Sequence, residues 1–406
     1  MASISDKLRA LGVSEGAQNI PPPREKEYFP IDQILEGRVV ETVFGDTFVA
    51  ESFYPSNSSH GDKSLSFTAS MQRLALWLDT PDLVRLDSTS YVFLDTETSG
   101  LAGGTGTYVF LVGIGKYDLD GFHLSQYFLR EPVEEKAHLS AILSGLADGK
   151  VLVTYNGKAF DAPLLNTRFI LHDDAPPMRA FMHIDLLPIA RRLWRDRLPS
   201  RRLGSVEASI LRVARTEEDI PGWMIPPLYF DYLRSGDARP LKQIFYHNAM
   251  DVLSLAALLN HVSEMLDNPL GGAVQLGVEL IAIGKLFEEL GDYDEAARCY
   301  ADGLEDELPL AVRSEARQRW SLMEKRRKNT ITSIELWQDA AKNQEIYAFI
   351  ELAKTYEHSL PDIEQAIHWT ESALSIIQGP EFEGFERDLW LPQLEHRLNR
   401  LRRKAG

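Results

Sequence analysis

The chain has 406 residues, more than one ordinary domain holds, and its 44% hydrophobic and 25% charged residues match a folded globular protein, which excludes a mostly disordered one. Its net charge of -17, from 43 basic and 60 acidic residues, excludes a protein that coats nucleic acid or anionic membrane without selectivity, though a local basic groove stays open. A single cysteine, Cys299, excludes an internal disulfide and a cysteine-built zinc site, and it points to a reducing compartment, with the cytoplasm as the expected location.

The opening MASISDKLRALG places Ile4, Leu8 and Leu11 at helical spacing and reads as a short amphipathic helix, not a signal peptide. Nowhere do about 18 apolar residues run together, as a membrane span requires. Residues 13–30, with Pro21, Pro22, Pro23 and Pro30, and residues 51–66, rich in Ser, Asn and Gly, read as loops or linkers. Between them RVVETVFGDTFVAESF predicts a hairpin packed on the neighbouring domain. These pieces make an N-terminal extension over residues 1–85.

From Tyr91 the pattern sharpens. YVFLDTET, TYVFLVGIGKY and FHLSQYFL are apolar, β-branched or aromatic runs divided by Gly and Asp, and they predict three consecutive strands. A helix over about 134–146, a buried-type strand VLVTY, a helix over about 160–171 and a long helix over about 240–266 follow. Strands alternating with helices after a three-strand start give an α/β domain with a mixed sheet over residues 86–267.

Beyond residue 268 the period is helical throughout. LIAIGKLFEELGDYDEAARCYADGLEDELP sets Gly284, Ala296 and Gly303 beside Phe287 and Tyr300, as a tetratricopeptide-type helix pair does, and Ala353, Tyr356, Ala366 and Ala373 repeat the theme. WSLMEKRRKNTITSIELWQDAA is a looser copy, and the basic end LPQLEHRLNRLRRKAG serves as a cap. Residues 268–406 are thus expected to form an all-α repeat domain without metal ligands.

Asp95 and Glu97 stand two apart on a strand, so both carboxylates point to one face. Two acids side by side in an apolar strand repel one another unless a cation neutralises them, or unless the strand end is simply solvated. In YNGKAFDAPLL, Asp161 opens a helix, where capping is its ordinary role. Asn156, Lys158 and Phe160 beside it supply a polar side chain, a cation and an aromatic face suited to a nucleotide. In FYHNAMDVLSLAALL, His247 and Asp251 share one helix face, about 40° apart, on a helix otherwise apolar.

In this order the three elements resemble the motifs of the DEDD superfamily of 3′-to-5′ exonucleases on a ribonuclease H-like fold. More narrowly, DTETSGLAGGTGTYVFLVG, VTYNGKAFDAPLL, HIDLL and IFYHNAMDVLSLAALL resemble the YprB-type bacterial ribonuclease H-like family, over about residues 88–265. The resemblance implies Asp95, Glu97, Asp161 and Asp251 as metal-binding acids and His247 as general base, with Thr96, Thr98, Asn156, Lys158 and Phe160 toward the substrate. One departure stands out. The histidine branch places His five residues before the last Asp and the tyrosine branch places Tyr four before, whereas here Tyr246 is at minus five and His247 at minus four, so either could serve the site.

Phosphodiester hydrolysis needs a nucleophilic water and stabilisation of charge on two oxygens, which two Mg²⁺ or Mn²⁺ ions on hard oxygen ligands supply. Other plans lack their residues: there is no Gly-x-x-x-x-Gly-Lys-Ser/Thr loop, Gly104 and Gly106 lack a third glycine, no Gly-x-Ser-x-Gly elbow occurs, and Cys299 sits at a packing position. Residues 186–215 carry eight arginines against two acids, with Trp194 among them. The cluster, Arg191, Arg195, Arg201 and Arg202 in particular, is expected to guide phosphates, and Trp194 either stacks on a base or fills the core. Residues 279–307, with ten acids and two basic residues, suit a protein partner instead.

The expectation is a two-metal 3′-to-5′ exonuclease acting on nucleic acid, DNA before RNA, in repair or processing. The resemblance also implies a protein partner such as a helicase, reached through the repeats, and the lack of a long apolar run implies no membrane. The competing expectations are a catalytically quiet scaffold that binds proteins, and an RNA-processing exonuclease.

Overall fold

The structure, a computed structural model, describes residues 29–100, 105–216, 218–380, 382 and 384–406. The expected amphipathic helix near the start, the proline-rich linker up to residue 28 and Gly104 of the glycine loop lie outside the described residues.

Seven strands form one mixed sheet: β1 (Arg38–Thr42), β2 (Gly45–Pro55), β3 (Tyr91–Thr98), β4 (Val109–Tyr117), β5 (Gly121–Phe128), β6 (Val151–Thr154) and β7 (Met182–Asp185), in the order β1-β2-β5-β4-β3-β6-β7. Neighbours from β1 to β3 pair antiparallel, and β6 and β7 continue the sheet in parallel. The N-terminal hairpin does not pack outside this sheet but extends it. Its β2 pairs with β5 from Phe48 opposite Phe128 to Pro55 opposite Gly121. The physical reason lies in Phe48, Val49 and Ala50, whose side chains fall on both faces and are buried on both.

The flanking helices are α1 (Glu135–Gly145), α2 (Asp161–Leu171), α3 (Leu186–Leu193), α4 (Ile225–Ser235) and α5 (Leu241–Asp267). Along β3, Tyr91 and Phe93 join the core that includes Val252 and Leu255 of α5, while Val92 and Leu94 join the core of α1 and α2 around Ile142, Leu165 and Phe169. Cover on both faces accounts for the unbroken apolar run. It ends at Leu94, and Asp95 to Thr98 are only half-buried, so the acids emerge where the strand leaves its cover.

α5 crosses the sheet closely because β4 carries Gly113 and Gly115 there. A Cβ at Gly113 would stand 2.4 Å from Asn248 Oδ1, and one at Gly115 would stand 2.8 Å from Val252 Cγ1. Any side chain at either position would lift the helix, and Asp251 with it.

The remaining chain folds into stacked antiparallel helices: α6 (Gly277–Leu290), α7 (Tyr293–Glu305), α8 (Leu310–Arg326), α9 (Thr330–Lys342), α10 (Ile346–His358), α11 (Ile363–Ile377) and α12 (Gly384–Ala405). Gly284 lies against Tyr300 and Cys299, and Gly303 against Ile281, so α6 and α7 meet through small residues, which puts Cys299 in packing. No helix among the described residues is long and apolar enough to cross a membrane.

The core does not stop where the helices begin. Ile281, Ile283, Leu286 and Phe287 of α6, and Ala316 and Met323 of α8, belong to the same cluster as Phe93, Trp194 and Leu255, whereas α9 to α12 build a separate cluster around Trp337 and Phe349. Burying four large apolar side chains at about 1.5–3 kcal/mol each is comparable to the whole stability of a domain. A chain ending at residue 268 is therefore expected to lose its cooperative thermal transition, and one ending at residue 328 to keep it. Equal melting of the two by circular dichroism would refute the shared core.

Candidate active site

Three elements bring the acids together at the end of β3. Asp95 and Glu97 share the strand face turned to α5, which carries Asp251. Asp161, the first residue of α2, approaches from the other face and accepts a hydrogen bond from Thr96 Oγ1 at 2.5 Å. Asp95 is held from behind: Asn248 Nδ2 donates to its Oδ2 at 2.9 Å, and Gln126 Nε2 donates to Asn248 Oδ1 at 2.9 Å and to the Phe245 carbonyl at 2.8 Å, which fixes the Asn248 amide. Thr98 Oγ1 donates to the Gly100 carbonyl at 3.0 Å and so anchors the start of the glycine loop.

Tyr246, His247 and Asp251 all lie on the continuous α5. The Tyr246 hydroxyl accepts the Thr216 N–H at 3.0 Å, away from the acids. His247 turns inward, with Nε2 3.8 Å from Asp251 Oδ2 and Nδ1 2.7 Å from Asp219 Oδ1. The short Asp219 contact assigns the proton to Nδ1 and leaves Nε2 bare, facing the acids. Asp219 went unread in the sequence because only the fold brings it to His247.

Burial pushes the Asp95 and Glu97 carboxyls well above the usual carboxylate range, and the charge of Asp251 adds to the effect on both. Burial likewise pushes Asp161 up to about 6, against the lowering pull of the Thr96 hydroxyl. Asp251 is raised by burial and held back by the Arg215 guanidinium, which bonds to it directly. Among the described residues no three of His, Cys, Asp and Glu stand in a ready metal-holding arrangement. Instead, Asn248, Thr96 and Arg215 each hold one of the carboxylates. The donor set nonetheless fits a hard divalent cation: oxygen donors only, withdrawn from water and mutually repelling, which a cation would relieve.

The expected substrate residues divide into two groups. Phe160 projects into solvent, 62% exposed, directly before Asp161. Asn156 adopts a left-handed φ of 69°, and Asp185 stabilises this turn by accepting the Asn156 N–H at 2.7 Å and the Lys158 N–H at 3.2 Å, while its Oδ1 also caps α3 through Leu187 N–H at 3.1 Å. Asp185 in HIDLL is thus a second unread residue. Asn156, Arg191, Arg201 and Arg202 line a cavity of about 520 Å³, whereas Arg195 stands outside it beside Asp196.

The arginine cluster does not act as one surface. Arg192 pairs with Glu289, Arg197 with Glu279 and Arg215 with Glu207, each inside the protein's own charge network. Trp194 is buried and donates its Nε1–H to Glu279 at 2.7 Å, so it is core and cannot stack on a base.

The RNase_H_2 profile of the RNase_H superfamily matches residues 92–263. The chain is 32% identical over 397 residues to the uncharacterized protein YprB of Bacillus subtilis (strain 168), covering 92% of this chain and 94% of that protein. It is also 28% identical over 120 residues to the DNA polymerase III PolC-type of Mycoplasma pneumoniae (strain ATCC 29342 / M129 / Subtype 1), covering 24% of this chain and 8% of that protein.

A carboxyl raised on folding favours the fold while protonated, and that contribution fades as pH rises through the folded value. For Asp161 the window runs from the ordinary 3.8 to about 6. In chelator, Asp161→Asn is expected to raise the melting temperature by a few degrees at pH 7.5 and to change it little at pH 4. A variant that melts below wild type at pH 7.5 would contradict the repulsion inferred at this site.

Proposed function

The chain belongs to the YprB family of ribonuclease H-superfamily proteins, and from that premise we propose that it is a metal-dependent 3′-to-5′ exonuclease that hydrolyses nucleic acid, DNA in preference. The observation that carries this reading is the convergence of Asp95, Glu97, Asp161 and Asp251 at one sheet end, with a single guanidinium, that of Arg215, bonded among four carboxyls. The direction of cleavage follows from the resemblance to DEDD exonucleases, and the preference for DNA is supported by the similarity to part of a DNA polymerase III.

In this reading the four carboxylates hold two Mg²⁺ or Mn²⁺ ions, which when bound supply an activated water and stabilise charge on the phosphate oxygens. The chain's own groups do the rest. His247 Nε2 accepts the proton of the attacking water while Asp219 holds Nδ1 and supports the imidazolium that forms. Phe160 stacks on a terminal base, and Arg191, Arg201 and Arg202 hold phosphates in the cavity beside Asn156. Acidic α6 and α7 offer a face to a protein partner such as a helicase.

A second reading, a catalytically quiet scaffold, is favoured by one observation, the direct bond between Arg215 and Asp251. Incubation of the full chain with end-labelled single- and double-stranded DNA and RNA, in Mg²⁺, Mn²⁺ or chelator, decides between the two. Degradation from 3′ ends that stops in chelator is expected, and no degradation of any substrate would favour the scaffold.

His247→Ala is expected to lower kcat by roughly 10² to 10⁴, the usual share of a positioned base, and Tyr246→Phe to have a much smaller effect. The reverse ranking would move the site to the tyrosine type. For the cavity, changing Arg191, Arg201 and Arg202 together to Ala should weaken DNA binding and reduce the slope of log K against log salt by about 2 to 3, because fewer counterions are released. An unchanged slope would remove the cavity from the substrate path.

A further inference from the structure

Among the described residues Arg215 is the one cation bonded directly to an acid of the cluster, and it is built into place. The turn Glu207–Leu211 ends at Arg212, whose φ of 55° is left-handed and folds the chain back on itself, with the Val213 N–H on the Glu207 carbonyl at 3.0 Å. Arg215 then meets Glu207 as a fork, Nε to Oε2 at 2.8 Å and Nη2 to Oε1 at 2.7 Å. Glu207 is 1% exposed and takes a further hydrogen bond from Ser254 Oγ at 2.6 Å. That serine proton is committed, so His60 Nε2, 2.7 Å away, donates to Ser254, and burial keeps this histidine neutral by lowering it to about 4.

The other side of the guanidinium faces the active site. Nη2 bonds to Asp251, and Nη1 lies 3.3 Å from Asp219 Oδ1 and 3.1 Å from His247 Nδ1. Of its five N–H donors, two serve Glu207, one serves Asp251 and one serves Asp219, while the fifth faces His247 Nδ1, which carries its own proton for Asp219 and cannot accept it. Burial opposes the charge of Arg215, yet Glu207 and Asp251 together keep it raised and firmly cationic.

We propose that Arg215 is a resident counter-cation that competes with the divalent metal for Asp251, and that buried Glu207 sets the strength of this competition by drawing the guanidinium away from the acids. Arg215 and Glu207 are positioning residues. They act through Asp251 and through the Asp219–His247 pair. The proposal rests on reading Asp251 as a metal ligand. It predicts opposite effects from the two halves of one ion pair. Removing Arg215 removes a competitor, whereas neutralising Glu207 releases the full guanidinium charge onto Asp251. A lesion that merely loosened the fold would weaken metal binding in both.

The test is Mn²⁺ titration of the full chain without nucleic acid, read by the electron paramagnetic resonance signal of free Mn²⁺, with thermal melting as a check on folding. Arg215→Gln is expected to tighten Mn²⁺ binding by about five- to tenfold, the scale of one unit charge a few ångströms away, and Glu207→Gln to weaken it by a similar factor. Because Arg215→Gln strands Glu207 as a buried unpaired carboxylate and can fail to fold, the double variant Glu207→Gln/Arg215→Gln carries the same expectation of tighter binding. Shifts in the same direction for Glu207→Gln and the double variant, or no shift in either, would overturn the competition while leaving the metal reading intact. A wild-type chain that takes up no Mn²⁺ would overturn the metal reading itself.

Discussion

The structure turns on one electrostatic constraint, four carboxylates withdrawn from water at a single sheet end. Burial raises all four carboxyls at this site, and the charges of neighbouring acids add to the effect at Asp95, Glu97 and Asp161. The surrounding fold is arranged to hold them there. Gly113 and Gly115 let α5 come close enough to deliver Asp251, Asn248 and Gln126 restrain Asp95, and Thr96 restrains Asp161. Each restraint supplies a donor to a carboxylate and so offsets part of its desolvation. None removes the net charge.

Much of this was legible in the chain because it is local. The period-two placement of Asp95 and Glu97, the helix-opening Asp161 and the i, i+4 pair His247 and Asp251 are short-range patterns, and the strands and helices that carry them fall within a residue or two of the sequence expectation. What escaped was long-range. Asp219 reaches His247 across 28 positions and Arg215 reaches Asp251 across 36, while the Glu207–Arg215 pair, only eight apart, depends on the left-handed turn at Arg212. The arginine stretch failed as a surface for the same reason, since the partners of Arg192, Arg197 and Arg215 come from distant segments or from beyond a turn. The hairpin at residues 38–55 was recognisable, but its place at the sheet edge depends on β5, which lies some seventy residues on.

The passage from α/β sheet to helical stack changes secondary structure without dividing the core. Trp194 and Arg197 follow α3 and both end on Glu279 of α6, a residue 1% exposed whose other oxygen caps α6 by accepting the Gln275 and Leu276 N–H groups at 3.1 Å. A composition shift marks a change of architecture, and here one core runs through it.

α3 has a mechanical consequence. Its first turn is capped by Asp185, which also grips the Asn156–Lys158 turn, Arg191 projects from its middle into the cavity, and Trp194 at its end is pinned to Glu279. Eight residues of helix make a strut about 12 Å long with no glycine and no hinge. The turn that precedes Asp161 and the helical stack are thus tied to the two ends of one short helix.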